Sequence, residues 1–312
     1  MARRPGAAAR AAPAADASLT DVVPPRAPQE GGELILTLSC PDRRGIVARV
    51  AGFVADRDGN ILDSHQFGDP DESVFFMRIH LATDDPADTA AWRDAFRPLA
   101  DELAMSWELH DARHRPRVLV LVSREGHCLN DLLYRWRTGG IAADLVGVAS
   151  PYDDFSALAG AYDLPYHALP GPTAPHAELD RALLELVERE RAELVVLARF
   201  MQILGPAACG ALAARAINIH HSFLPSFKGA SPYRQAHERG VKLIGATAHY
   251  VTEELDEGPI IEQEVARVDH AHGPDELARV GRDVECQALS RAVRWHAERR
   301  VLIHGGRTIV FR

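Results

Sequence analysis

The chain has 312 residues, a formal net charge of −9 and 25% charged residues. That length allows two modest domains, each with a core, and the acidic balance argues against a polyanionic partner such as nucleic acid. No apolar run reaches the roughly 20 residues that a membrane-spanning helix needs, so neither nucleic acid nor a membrane is an expected partner. Four cysteines, Cys40, Cys128, Cys209 and Cys286, are scattered without a CxxC pair. They predict neither a disulfide framework nor a zinc knuckle, and a reducing, cytoplasmic setting.

Residues 1–32 are rich in Ala, Pro and Arg and lack an apolar period, which reads as a disordered tail. From Glu33 the texture changes. LILTLS alternates as a strand does, and Ile46, Val47, Val50, Phe53 and Val54 then fall on one helical stripe with Gly59 as a stop. NILDSHQFG and SVFFMRIHLA read as a hairpin, a helix follows over about 86–103, and SWELHDA can close the sheet. The order βαββαβ is the ferredoxin-like pattern. With Cys40, Pro41, Asp42, Gly45, Ile46 and Val47 in its first turn and Asn60 and Ile61 opening its second strand, this stretch, residues 33–112, resembles an ACT domain. Gly45 at a helix start would let an anionic group approach free backbone N–H groups, and Asp42 would either cap that helix or meet an ammonium. The resemblance implies a small amino-acid effector bound near Asp42, Gly45 and Asn60, and pairing of such domains into a homo-oligomer.

Residues 113–116 are a short basic linker ending at Pro116. After it, RVLVLVS, ADLVGVAS, PYHALP and ELVVLA read as strands separated by helical segments, the longest over about 176–191. Strand and helix in repeated succession predict a doubly wound, mostly parallel sheet across residues 117–312. A long final helix over about 275–299 and a hairpin turning at Gly305-Gly306 end the chain.

The chemistry concentrates in two segments. In AINIHHSFLPSFKGASPYRQA, Ile217 and Ile219 alternate with Asn218 and His220, so an amide and an imidazole project together from one strand face. Pro225, Gly229 and Pro232 punctuate the next stretch, placing the pair near a strand's carboxyl end, where open α/β sheets bind ligands. In IGATAHYVTEELDEGPIIEQE, two apolar runs flank an acidic turn carrying Glu253, Glu254, Asp256 and Glu257. Carboxylate, imidazole and amide together supply what transfer or hydrolysis of a carbonyl group requires: a proton acceptor, an acid and an oxyanion donor. Spacing alone leaves Asp256 and Glu257 as rivals.

These two segments resemble the folate-dependent formyltransferase/hydrolase catalytic domain, and most closely its deformylase branch, which also carries an ACT-like domain. The resemblance runs from about Arg117 to the end. It implies hydrolysis of 10-formyltetrahydrofolate to formate and tetrahydrofolate, balancing a one-carbon pool that feeds purine synthesis. Through the LDEGPI motif it selects Asp256 as the base, with Asn218 and His220 on the oxyanion and His249 and Thr247 in support. It sets the RFMQIL loop and residues 251–256 against the folate ring, through Phe200, Met201, Leu204, Val251 and Leu255. It calls for no metal and no cofactor, the folate being the substrate. The first strand-to-helix turn, SREGHCLND, has the single glycine Gly126 where phosphate-binding turns need several, which points away from a phosphorylated acceptor. His127 and Cys128 adjoin, but adjacent ligands without nearby partners are a weak metal signal. Three other readings remain: formyl transfer to an amine, a metal-dependent hydrolase using His220, His221 or His249 with Asp256, and a non-enzymatic amino-acid sensor. The metal reading suffers because His220 and His221 are expected to face opposite ways on a regular strand.

Overall fold

A computed structural model of the protein describes residues 31–84, 89–224 and 232–312. The predicted tail lies almost wholly outside the described residues, as do Pro225 and Gly229 of the predicted strand stop.

The first unit pairs β1 (Gly32–Pro41), β2 (Asn60–Asp69), β3 (Val74–Thr83) and β4 (Ser106–Asp111) in the order β2-β3-β1-β4, all antiparallel. Helices α1 (Ile46–Ala55) and α2 (Thr89–Glu102) cover one face. Val50, Val54, Trp92 and Phe96 pack there on Leu36, Leu38, Met77 and Ile79. This is the ferredoxin-like arrangement that the sequence order predicts.

The second unit is a seven-stranded sheet, and its strands come in the order β11-β10-β9-β8-β5-β6-β7. Five of them, β5 (Arg117–Leu121), β6 (Asp144–Ser150), β7 (Tyr166–Ala168), β8 (Leu194–Leu197) and β9 (Ala216–His220), run parallel. Antiparallel to β9 lies β10 (Leu243–Tyr250), itself antiparallel to β11 (Ile260–Arg267). Alternation along β5 decides the two cores. Val118 and Val120 pack with α3 (His127–Arg137), α4 (Ser156–Ala161) and α8 (Pro274–Ala297). Leu119 and Leu121 pack with α5 (His176–Arg189) and α6 (Pro206–Ala211) on the other face. Helices on both faces explain why these strands are apolar runs rather than half-polar ones. A short α7 (Pro232–Glu238) leads into β10. No helix among the described residues is long and apolar enough to cross a membrane.

The hairpin of β12 (Val301–His304) and β13 (Arg307–Val310) bridges the two units, with Thr308 donating to the Ile260 carbonyl of β11 and Val301 and Val310 against the second unit's core. His304 meets Glu72 at 2.7 Å and stands edge-on to Phe76, while Arg307 reaches Asp69 and Glu72. Beneath it Arg78, 2% exposed on β3, donates to the carbonyls of Glu298 and Arg299 just past α8.

Candidate active site

At the end of β9, Ile217 and Ile219 are buried in the core, which leaves Asn218 and His220 on the opposite face, where they line a cleft of about 260 Å³. Antiparallel pairing sets His249 across from Asn218 and Thr247 across from His220. Facing residues of neighbouring strands lie close enough for side chains to meet. His249 Nδ1 donates to the carbonyl of Tyr250 at 2.9 Å, and its Nε2 lies 3.3 Å from the Asn218 amide nitrogen. His249 is thus on the cleft wall itself, not behind it as the support role anticipated. Thr247, fully buried, holds the chain after β9: it donates to the Ser222 carbonyl at 2.9 Å and accepts from the Leu224 N–H at 3.1 Å.

The turn between β10 and β11 brings in the carboxylate. Asp256 takes a left-handed backbone conformation, φ 59°, which few residues other than glycine adopt without constraint. Its Oδ2 lies 3.2 Å from His220 Nδ1 and its Oδ1 lies 3.7 Å from His249 Nε2. Burial alone would raise its pKa, but the hydrogen bond from His220 and the His249 ring beside it outweigh that and hold the carboxyl well below the usual range. Glu257, its rival on spacing, is exposed and does not line the cleft. Gly258 makes the turn possible, because a Cβ there would lie 1.8 Å from the Tyr250 carbonyl oxygen.

His220 is 8% exposed, and its Nε2 is buried with no hydrogen-bond partner among the described residues. That nitrogen is therefore available to a ligand. His221 departs from expectation. The strand stops at His220, so alternation no longer governs the next residue, and the two rings sit 5.0 Å apart, both lining the cleft. Burial first, then the charges of Arg199 and His220, push His221 down to about 4, so it is neutral near pH 7.

Phe200, Met201 and Leu204 form one side of the cleft and Val251 and Leu255 the other. Met201 and Leu255 are 62% and 58% exposed, so both flanks present apolar surface to the cleft. Sequence reasoning did not single out Arg199 or Gln202, which also line it, although both adjoin apolar residues of the RFMQIL loop. The predicted effector residues belong to the first unit and do not line the cleft. Asp42 and Asn60 are exposed, and Gly45 is the N-cap residue just before α1, with φ 92°. Asp42 does not cap α1 as one reading of it required: α1 has no side-chain cap, and the Asp42 backbone is turned away to pair with the Ser73 carbonyl at 2.8 Å.

His127 and Cys128 gain a third donor in Glu285, with ligand atoms within 4.8 Å of one another. The Glu285 carboxylate is already engaged by His127 and by the Tyr233 hydroxyl, at 2.7 and 2.6 Å. Arg199, 3.4 Å away, adds a positive charge that opposes a metal ion there.

Both units of the chain are similar to known proteins. Residues 116–293 match the formyl transferase family and residues 34–96 the ACT domain family. The formyltetrahydrofolate deformylase of Corynebacterium sp. (strain P-1) is 48% identical over 89% of this chain and 98% of its own length. The crystal structure of the formyltetrahydrofolate deformylase from Burkholderia mallei is 50% identical, superimposes with a TM-score of 0.84, and is matched over 90% of this chain and 100% of that one. A glycinamide ribonucleotide transformylase from Symbiobacterium toebii is 32% identical with a TM-score of 0.61, matched over 64% of this chain and 95% of that one. The chain belongs to the formyltetrahydrofolate deformylase family, with an ACT domain joined to a formyl transferase domain.

Proposed function

We propose that the protein hydrolyses 10-formyltetrahydrofolate to formate and tetrahydrofolate, with water as the nucleophile. The observation that carries this reading is the meeting of Asn218, His220, His249 and Asp256 at the end of β9, in a cleft with an apolar flank on either side. The pterin ring lies between the Phe200–Leu204 loop and the Val251–Asp256 turn. The formyl oxygen is received by the Asn218 amide and His220 Nε2, and water rests on Asp256 Oδ1. As the water oxygen bonds to the formyl carbon, Asp256 takes its proton. His220 then gives its Nε2 proton to N10 as the C–N bond breaks, and exchange with solvent returns Asp256 and His220 to their starting protonation. One oxyanion donor contributes about 10² to 10³ in rate, and a positioned acid or base roughly 10² to 10⁴.

The side chains named here complete the cycle without a metal or a cofactor. Incubated with 10-formyltetrahydrofolate alone, the protein is expected to release formate and tetrahydrofolate in equal amounts, unaffected by a chelator. Formate that appears only with an added amine would favour the transferase reading, and activity lost to a chelator and restored by zinc would favour the metallohydrolase.

Release of formate at the expense of activated one-carbon units calls for restraint, and the fused ACT domain is suited to provide it. We propose that a small amino acid such as glycine or methionine binds at the turn from Asp42 to Ile46 and changes the rate, and that ACT domains of two chains pair. The enzyme would work in the reducing cytoplasm, adjusting the folate pool for purine synthesis. Calorimetry is expected to show such binding to the wild type and its loss in Gly45→Val. Failure of any amino acid to bind the wild type would leave the domain as a pairing module.

A further inference from the structure

Behind the reacting groups lies a cluster of charges that the steps above do not use. Arg199, in the loop after β8, adopts a left-handed conformation, φ 63°, which side chains other than glycine hold only under constraint. Its guanidinium lines the cleft and donates to Glu125 Oε2 from Nε at 3.1 Å and from Nη2 at 2.7 Å. The same Nε lies 3.4 Å from Oε2 of Glu285, a residue of α8 that is 1% exposed. His127, at the start of α3, and Tyr233, from α7, hold Glu285 in turn.

The helix is shaped to admit this. Gly281 sits one turn before Glu285, and a Cβ there would lie 2.0 Å from the Tyr233 hydroxyl oxygen. Glycine inside a helix weakens it, and burying charges stabilises a fold less than apolar packing of the same volume. Stability alone therefore does not account for the cluster, and its position suggests what does.

With the pterin between the two apolar flanks and the formyl group at Asn218 and His220, Arg199 and His221 are among the residues that remain to line the cleft. An amine acceptor arrives largely as a cation, and carboxylates there would hold it. Glu125 and Glu285 are such carboxylates, and a built-in cation already occupies them. The same scaffold serves a glycinamide ribonucleotide transformylase, so the choice of acceptor lies in side chains rather than in the fold. We infer that Arg199, pinned on Glu125 and Glu285, takes the place of an amine acceptor and so restricts the nucleophile to water. This rests on the hydrolytic reading above and names the residue that sets its acceptor specificity.

The test is the partition of products with glycinamide present. In Arg199→Ala Asp256 takes a proton from the ammonium, the neutral amine nitrogen forms the new bond to the formyl carbon and the bond to N10 breaks. The proton shed by the amine reaches N10 through His220, giving N-formylglycinamide and tetrahydrofolate. The ratio of N-formylglycinamide to formate, read by mass spectrometry, is expected to rise at least about tenfold over wild type, the scale of a pocket-level change in specificity. Added guanidinium chloride is expected to bring it back. Glu125→Gln, at a side chain 49% exposed, removes one anchor without leaving a buried carboxylate unpaired, and is expected to raise the ratio less. Wild type that releases formate, beside variants that keep its circular dichroism and its partition, overturns the inference alone. Wild type that releases no formate overturns the hydrolytic reading and the inference with it.

Discussion

Asp256→Asn is expected to lower kcat by about 10² to 10⁴ while leaving the fold and folate binding nearly intact. The amide keeps the shape of the carboxylate, but it cannot accept the proton of water or face His220, 3.2 Å away, with a negative charge. Glu257→Gln, at an exposed side chain outside the cleft, should stay within a few-fold of wild type. Steady-state rates and binding of a non-hydrolysable folate decide it, and a dead Glu257→Gln beside an active Asp256→Asn would exchange the two roles. The acid side of the wild-type profile carries a second check. Burial opposes ionisation of Asp256, but His220 and His249 outweigh it and hold its pKa below the ordinary value of 3.8. Its ionised form, and the contact with His220, therefore persist as the pH falls through that value, so an activity loss centred there must belong to another group.

Gly258→Ala is expected to reduce kcat by about 10², although the residue touches no substrate. An added methyl cannot coexist with the Tyr250 carbonyl, which lies 1.8 Å from where it would sit, so the turn must open. Asp256 sits two residues earlier in that turn, and a displacement of about 1 Å at a reacting group is enough for a hundredfold loss. The melting temperature should fall by only a few degrees, because the cores on both sheet faces are untouched. Wild-type turnover in Gly258→Ala would show that the turn is free to adjust, and that its geometry does not set the rate.

How much of this was legible in the sequence depended on how local the cause is. The shared face of Asn218 and His220 follows from the period of a strand, and the structure places both on the cleft. The βαββαβ order and the strand-helix alternation are equally local and gave the right architecture. His249 was undervalued because its pairing with Asn218 depends on antiparallel register between β9 and β10, which no local pattern states. His221 joins His220 on the cleft because the strand ends one residue before it, where the alternation of a regular strand no longer applies. The Arg199 cluster joins positions 125, 127, 199, 233 and 285, and only the finished fold brings them together. The terminal hairpin was evident from its paired glycines, but its seat against the first unit was not.

That seat gives α8 two attachments of different kinds. Its middle carries Glu285, next to the cleft, and the carbonyls just past its last turn are gripped by Arg78 of the ACT domain. Glu298 lies 13 residues beyond Glu285, about 20 Å along the helix at 1.5 Å per residue. A packed helix of that length behaves as a strut, and the pull of a guanidinium on carbonyls at its negative end is favoured by the sum of the peptide dipoles. A shift of β3 therefore has a mechanical path to the Arg199 cluster beside the cleft, and the same path runs in reverse. Whatever tightens the cleft around its substrate must also change how readily the ACT sheet deforms, by the same free energy in either direction.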